Sequence, residues 1–275
     1  MKKLILLSFL CGFLASPVHA QFEVGTVGLL HLPTADMEAD GTFRVGGGWL
    51  NKEATPTRWN YNTYNYYIDV TLFDFLEISY DLTLFTGKAI ADRYQLPESI
   101  FKKWTNQDRN FSARLRLVRE GQFWDWMPQV VIGGNDVAHT IDSNKISDGA
   151  GVWNKEGGNG SFGRIYLAMT KHLDFQNWGR LGVHAALMNN DKKKSDYRYK
   201  GLGVGADFRF QTGEDRKGIL HQLLNGLDLK AEYDSRNVNV GFTEYLFKDR
   251  FELTTELYAC KYPSVGVTYK VKLKP

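Results

Sequence analysis

The chain has 275 residues with 34 basic against 31 acidic side chains, and that near-balance gives nucleic-acid binding no electrostatic support. No stretch beyond the N-terminus approaches 18 consecutive apolar residues, which excludes a membrane protein built of helices. Aromatic content of 14% and 27 glycines instead suit a β-rich chain with aromatic girdles.

Residues 1–20 read as a secretory signal peptide. Lys2 and Lys3 form its positive end, Leu4 to Ala15 its apolar core, and Val18-His19-Ala20 the small residues before cleavage at Gln21. A lipoprotein signal needs a small residue ahead of its cysteine, whereas Leu10 precedes Cys11, so lipidation is not expected. Cleavage leaves Cys260 alone, with no intramolecular disulfide and little from which to build a metal or thiol site. Residues 21–40 form an N-terminal periplasmic or plug segment. Leu29, Leu30 and Leu32 there need burial, either against the lower rim or inside the structure that follows.

Residues 41–275 are expected to form one domain, an all-β transmembrane antiparallel barrel of about twelve strands. The strands fall at 41–50, 61–73, 76–86, 110–119, 128–136, 160–171, 178–188, 199–210, 226–234, 237–246, 251–260 and 264–273. The clearest pair runs from Asn62 to Leu84. Tyr64, Tyr66, Ile68, Val70 and Leu72 alternate with Thr63, Asn65, Tyr67, Asp69 and Thr71, and the alternation resumes after Phe73-Asp74-Phe75. Each run is about ten residues, the length of a tilted membrane strand. A soluble sandwich shows the same alternation, so the connections carry more weight. Links 51–60, 87–109, 137–159 and 189–198 are long and polar, whereas 74–75, 120–127, 172–177 and 247–250 are tight. Long loops at one end and short turns at the other are the habit of outer-membrane barrels. Two links depart from it: the one near Ser235-Arg236 is short, and 211–225 is long, with a possible small helix from Gly218 to Asn225.

The charges keep to one face. Those assigned to the lumen are Asp69, Glu77, Asp81, Arg114, Arg116, Arg164, Arg180, Asp207, Arg209, Asp228, Lys230, Glu232, Glu252, Glu256, Lys270 and Lys272. A Lys or Arg on the lipid side at mid-membrane costs about 2–4 kcal/mol, which accounts for the segregation. Balanced signs point either to an ion-pair network that narrows the pore or to simple solvation of an inner wall. Glu244 falls in phase with the apolar Val238, Val240 and Phe242, which calls for a bulge or an interfacial position. The last strand, from Ser264 to Val271, resembles the terminal signal read by the bacterial barrel-insertion machinery, although Leu273-Lys274-Pro275 follows in place of a terminal aromatic.

Catalysis has little support. A hydrolase needs a nucleophile and a base within hydrogen-bond reach. His184 points inward and Ser112 and Ser161 lie on strands, but no Gly-x-Ser-x-Gly occurs. No catalytic residue, cofactor or metal is assigned. In the outer loops, Tyr94, Phe101 and Trp104 with Arg93, Lys102 and Lys103, and Trp153 with Asp136, Asp142 and Asp148, offer sugar-stacking chemistry; the other reading is that these aromatics belong to the interfacial girdle or pack the loops on each other.

Three stretches carry a family resemblance. Gly25-Thr26-Val27-Gly28-Leu29-Leu30-His31-Leu32-Pro33-Thr34-Ala35, followed by Asp40-Gly41-Thr42-Phe43-Arg44-Val45-Gly46, resembles the opening of YjbH-type outer-membrane proteins, with Gly28, Pro33, Thr34 and Gly41 as motif positions. Leu115 to Gly121 with Pro128 to Asp136, and Leu229-Lys230-Ala231-Glu232-Tyr233-Asp234, resemble later parts of that family. The chain is much shorter than the family's large members and reads as a single-barrel version. The resemblance implies an outer-membrane role in exopolysaccharide or capsule biosynthesis or secretion, without catalytic residues. Expected partners are outer-membrane lipid, the barrel-insertion machinery, polysaccharide and export proteins. A small-solute porin and a barrel hydrolase are the alternatives.

Overall fold

The computed structural model describes residues 21, 23–55, 61–86, 97, 104–139, 151–152, 162–175, 178–190, 199–211 and 224–273. The leader at 1–20 lies outside them, as do most of links 87–109, 137–159, 189–198 and 211–225 and Ser161. Among the described residues, thirteen strands are present: β1 (Thr42–Leu50), β2 (Thr63–Leu72), β3 (Leu76–Thr86), β4 (Trp104–Val118), β5 (Gln129–His139), β6 (Gly151–Val152), β7 (Arg164–Phe175), β8 (Gly179–Asn189), β9 (Gly201–Phe210), β10 (Leu227–Tyr233), β11 (Val238–Leu246), β12 (Phe251–Tyr258) and β13 (Tyr262–Lys272). Neighbours pair antiparallel around the sheet, and β1 pairs with β13 from Thr42↔Lys272 to Trp49↔Val265, which closes it. The two-residue β6 pairs only with the last residues of β5, beyond the reach of β7, so twelve strands form the wall.

The twelve-strand barrel read from alternation is therefore the fold, with differences at the ends. β4 begins at Trp104 and not near 110: polar Gln107, Asp108 and Arg109 mask its alternation, yet it stays paired with β3 up to a register shift at Phe85/Thr86. Trp104 accordingly belongs to a strand. β11 pairs evenly with β10 from Leu227↔Glu244 to Tyr233↔Val238, so no bulge is present. Glu244 is half-buried beside the Phe247–Arg250 turn, which places it at the rim.

The β2–β3, β4–β5, β7–β8 and β11–β12 turns lie at the end where β1 starts and β13 finishes, whereas the short β10–β11 and β12–β13 turns lie at the opposite end. At the β2–β3 turn, Phe73 (φ 55°) and Asp74 (φ 53°) adopt the left-handed conformation, costly for a bulky side chain. The turn is held because Asp40 Oδ1 accepts the Phe73 amide at 2.7 Å and because Arg116 and Arg119 both donate to Asp74.

Burial is inverted relative to a water-soluble fold. Ile68, Val183, Leu229 and Ile132 are 45%, 48%, 46% and 48% exposed, while their strand neighbours Asp69, His184, Lys230 and Val131 are buried. A closed ladder satisfies its own backbone, so an apolar outer face can meet hydrocarbon without unpaired amides. Replacing Ile132 by Arg in mid-β5 is expected to destabilise the folded barrel by about 2–4 kcal/mol in urea titrations from lipid vesicles. A neutral outcome would place that face in water.

Candidate functional site

The interior is occupied by the chain's own N-terminal segment. From Gln21 to Glu38, every residue with a described side chain is buried. The segment enters at the short-turn end. There Gly41, at φ 73°, donates its amide to Thr71 O at 2.9 Å and accepts from Leu273 at 2.8 Å, linking both ends of the wall. At the far end, Gly28 and Pro33 form an antiparallel bridge, and Leu29 donates to Leu32 O at 3.0 Å, so Leu29 to Leu32 form a hairpin tip. The open choice for the three leucines is thus resolved inward. Gly205 and Gly203 on β9 make room for Leu29 and Leu32: a Cβ at either position would collide with those side chains.

Wall charges hold this segment largely by its backbone. Glu232 accepts the amides of Leu30 (3.0 Å), His31 (2.7 Å) and Leu32 (3.0 Å), and also Asn239 Nδ2 at 3.0 Å. Arg114 does the converse, donating to the carbonyls of Val27, Thr34 and Asp36. Glu77 accepts the Val27 amide at 2.7 Å and lies 3.4 Å from Arg114. Lys270 bridges Glu38 at 2.9 Å and Glu252 at 2.6 Å. Near the tip, Arg164 donates to Gln21 Oε1 at 3.3 Å, and His31 sits between Glu23 and Glu256, its Nε2 2.9 Å from the latter. Irregular backbone at membrane depth must find partners inside the protein, and these side chains supply them.

The sixteen charges assigned to the lumen differ in burial. Asp69, Glu77, Asp81, Arg114, Arg164, Asp207, Arg209, Asp228, Lys230, Glu232, Glu252, Glu256 and Lys270 are buried. Arg116 and Arg180 are half-buried and Lys272 is exposed. All three sit near the short-turn ends of their strands, where Arg116 turns to Asp74 at 2.7 Å. Sequence reasoning missed Arg44, fully buried and 3.3 Å from Asp69, and it missed Asp36.

Asp36 is the centre of a latch. His172 Nε2 lies 3.2 Å from Asp36 Oδ1, and His184 Nδ1 lies 3.6 Å from Oδ2. His172 also meets Glu120 of the β4–β5 turn at 2.6 Å, and His184 meets Asp207 at 2.6 Å. Burial raises the Glu120 carboxyl, but hydrogen bonds from the His172 ring and backbone and from Lys171 outweigh it and bring the pKa down to about 2. Replacing Asp36 by Asn is expected to loosen residues 23–38 without unfolding the wall. Faster proteolysis of that segment, with unchanged heat-dependent gel mobility of the barrel, is the outcome to look for.

Thr170 Oγ1, His184 and Asp207 have the connectivity of a hydroxyl–imidazole–carboxylate relay, with steps of 2.9 and 2.6 Å. The hydroxyl, however, already accepts the Ala35 amide at 2.8 Å, and Thr170 and His184 are each 1% exposed. The arrangement grips the inserted segment. Ser112 instead accepts the Asp136 amide at 3.2 Å. Among the described residues, no group of three or more His, Cys, Asp or Glu could hold a metal ion.

Residues 20–142 match the model of the YjbH family, described as exopolysaccharide biosynthesis protein YbjH. The chain is 26% identical over 271 residues to the uncharacterized lipoprotein YjbH of Escherichia coli (strain K12), a match covering 91% of this chain and 33% of that protein. The chain thus spans about a third of that relative's length. Among solved structures, the Salmonella typhi outer membrane phospholipase dimer with bound calcium covers 86% of this chain and 92% of its own at 12% identity and a TM-score of 0.37, too weak a likeness to carry an argument. The resemblance to the YjbH family is borne out, by the family model over residues 20–142 and by the Escherichia coli relative over most of the chain.

Proposed function

We propose that this protein is an outer-membrane barrel that assists exopolysaccharide or capsule secretion without catalysing a reaction, and that residues 21–38 act as its plug. The observation that carries this reading is the filled interior. A general porin keeps a water-filled lumen, whereas here the wall's buried charges are engaged by the chain's own backbone. The apolar outer face supports membrane residence, and the family's description supports the link to polysaccharide. The partners in this reading are outer-membrane lipid, the insertion machinery, and polysaccharide together with export proteins at the rims. The test is a deletion strain. Loss of surface polysaccharide with unchanged uptake of small solutes supports the proposal. Intact polysaccharide with impaired solute uptake would favour a porin.

A further inference from the structure

The β4–β5 turn, residues 119–128, is braced from within and from below. Gly121 donates to Met127 O and Met127 to Trp124 O, both at 2.9 Å, and Arg119 donates to Gln122 Oε1 at 3.0 Å. Arg119 also donates to both Asp74 oxygens at 2.9 and 3.1 Å, Lys171 to the Asp125 carbonyl at 2.6 Å, and His172 to Glu120. This fixed scaffold presents Phe123, Trp124 and Trp126 at 66%, 57% and 73% exposure. A braced turn has no reason to hold three large aromatics in water, since each keeps apolar surface wet. Phe73, Trp178 and Phe247 are likewise exposed on neighbouring turns at the same end, where the apolar outer faces of the strands stop. Cationic Lys248, Arg250 and Lys272 are exposed at that end too. Aromatics and cations distributed around the same end of the barrel, continuous with a lipid-facing belt, match the chemistry of a bilayer interface: rings at the acyl boundary, ammonium and guanidinium groups at lipid phosphates.

We infer that the β4–β5 turn is a membrane-interface wedge that seats Phe123, Trp124 and Trp126 among the headgroups of the leaflet at the short-turn end. The inference rests on membrane residence of the barrel, and the experiment separates the two. The full chain is folded into vesicles of phosphatidylethanolamine and phosphatidylglycerol, with or without brominated acyl chains, and compared with the W124F/W126F variant, whose folding is checked by heat-dependent gel mobility. The difference emission isolates these two of the seven tryptophans. It is expected to be lost in lipids brominated near the headgroup and to be insensitive to aqueous acrylamide. Difference emission quenched by acrylamide and indifferent to bromolipid would overturn the wedge and leave the turn in water, open to a protein partner. The remaining tryptophans, among them Trp49 on the outer face of β1, report whether the barrel itself is in lipid. If the wedge fails while they are quenched, the membrane reading stands.

Discussion

Deleting residues 21–38 is expected to turn a quiet barrel into a conducting one in planar bilayers. The full chain should show little or no current, and the deletion should show discrete openings. The reason is volume and charge together. Barrels of about eight strands fill with side chains and those of sixteen or more leave a channel, so a twelve-strand wall lined with small and polar residues needs something else to fill it. The hairpin tip, with Leu29, Leu30 and Leu32 all fully buried, is that filling. Removing it hands Glu232, Arg114 and Lys270 to water, which hydrates them at little cost. Unchanged conductance from a barrel that retains its heat-dependent gel mobility would mean that the segment is not what blocks the pore.

Arg114→Ala is expected to be among the most damaging single substitutions. It removes three donors to the segment's carbonyls and strands Glu77 in the interior. Breaking a buried pair by deleting one partner costs about 3–5 kcal/mol, because the surviving charge stays uncompensated. Arg114→Lys should recover only part, since an ammonium lacks the planar fork that reaches several carbonyls at once. Arg114→Ala combined with Glu77→Gln should be milder than Arg114→Ala alone, as it removes the stranded charge. Urea unfolding from vesicles measures all three. A loss within about 0.5 kcal/mol for Arg114→Ala, the range of ordinary surface changes, would contradict its role.

The wall was legible in the sequence and the filling only partly so. Period-two alternation fixes which face of β2, β9 or β10 meets lipid, because a charge in hydrocarbon is expensive and a one-residue slip would invert the whole strand. Ends were less legible: the polar start of β4 hid its pairing, and Lys272 followed the alternation to a rim where it no longer mattered. The three leucines announced that residues 21–38 need burial, but not their partners. Asp36 looked like any acidic residue ahead of a strand. Its meeting with His172 and His184 depends on β7 and β8 lying side by side across the barrel from β1. Gly203 and Gly205 read as small strand residues; a close approach was a possible signal, but only the fold brings Leu29 and Leu32 against them.

Hydrogen exchange of the full chain in phospholipid nanodiscs tests most directly whether the barrel closes around its own N-terminal segment. The amides of Leu30, His31 and Leu32, all donating to Glu232, should resist exchange as long as those of β10 and β11. Exchange of residues 23–38 at the rate of an unstructured peptide, alongside protected strands, would show the segment outside the barrel and contradict its insertion.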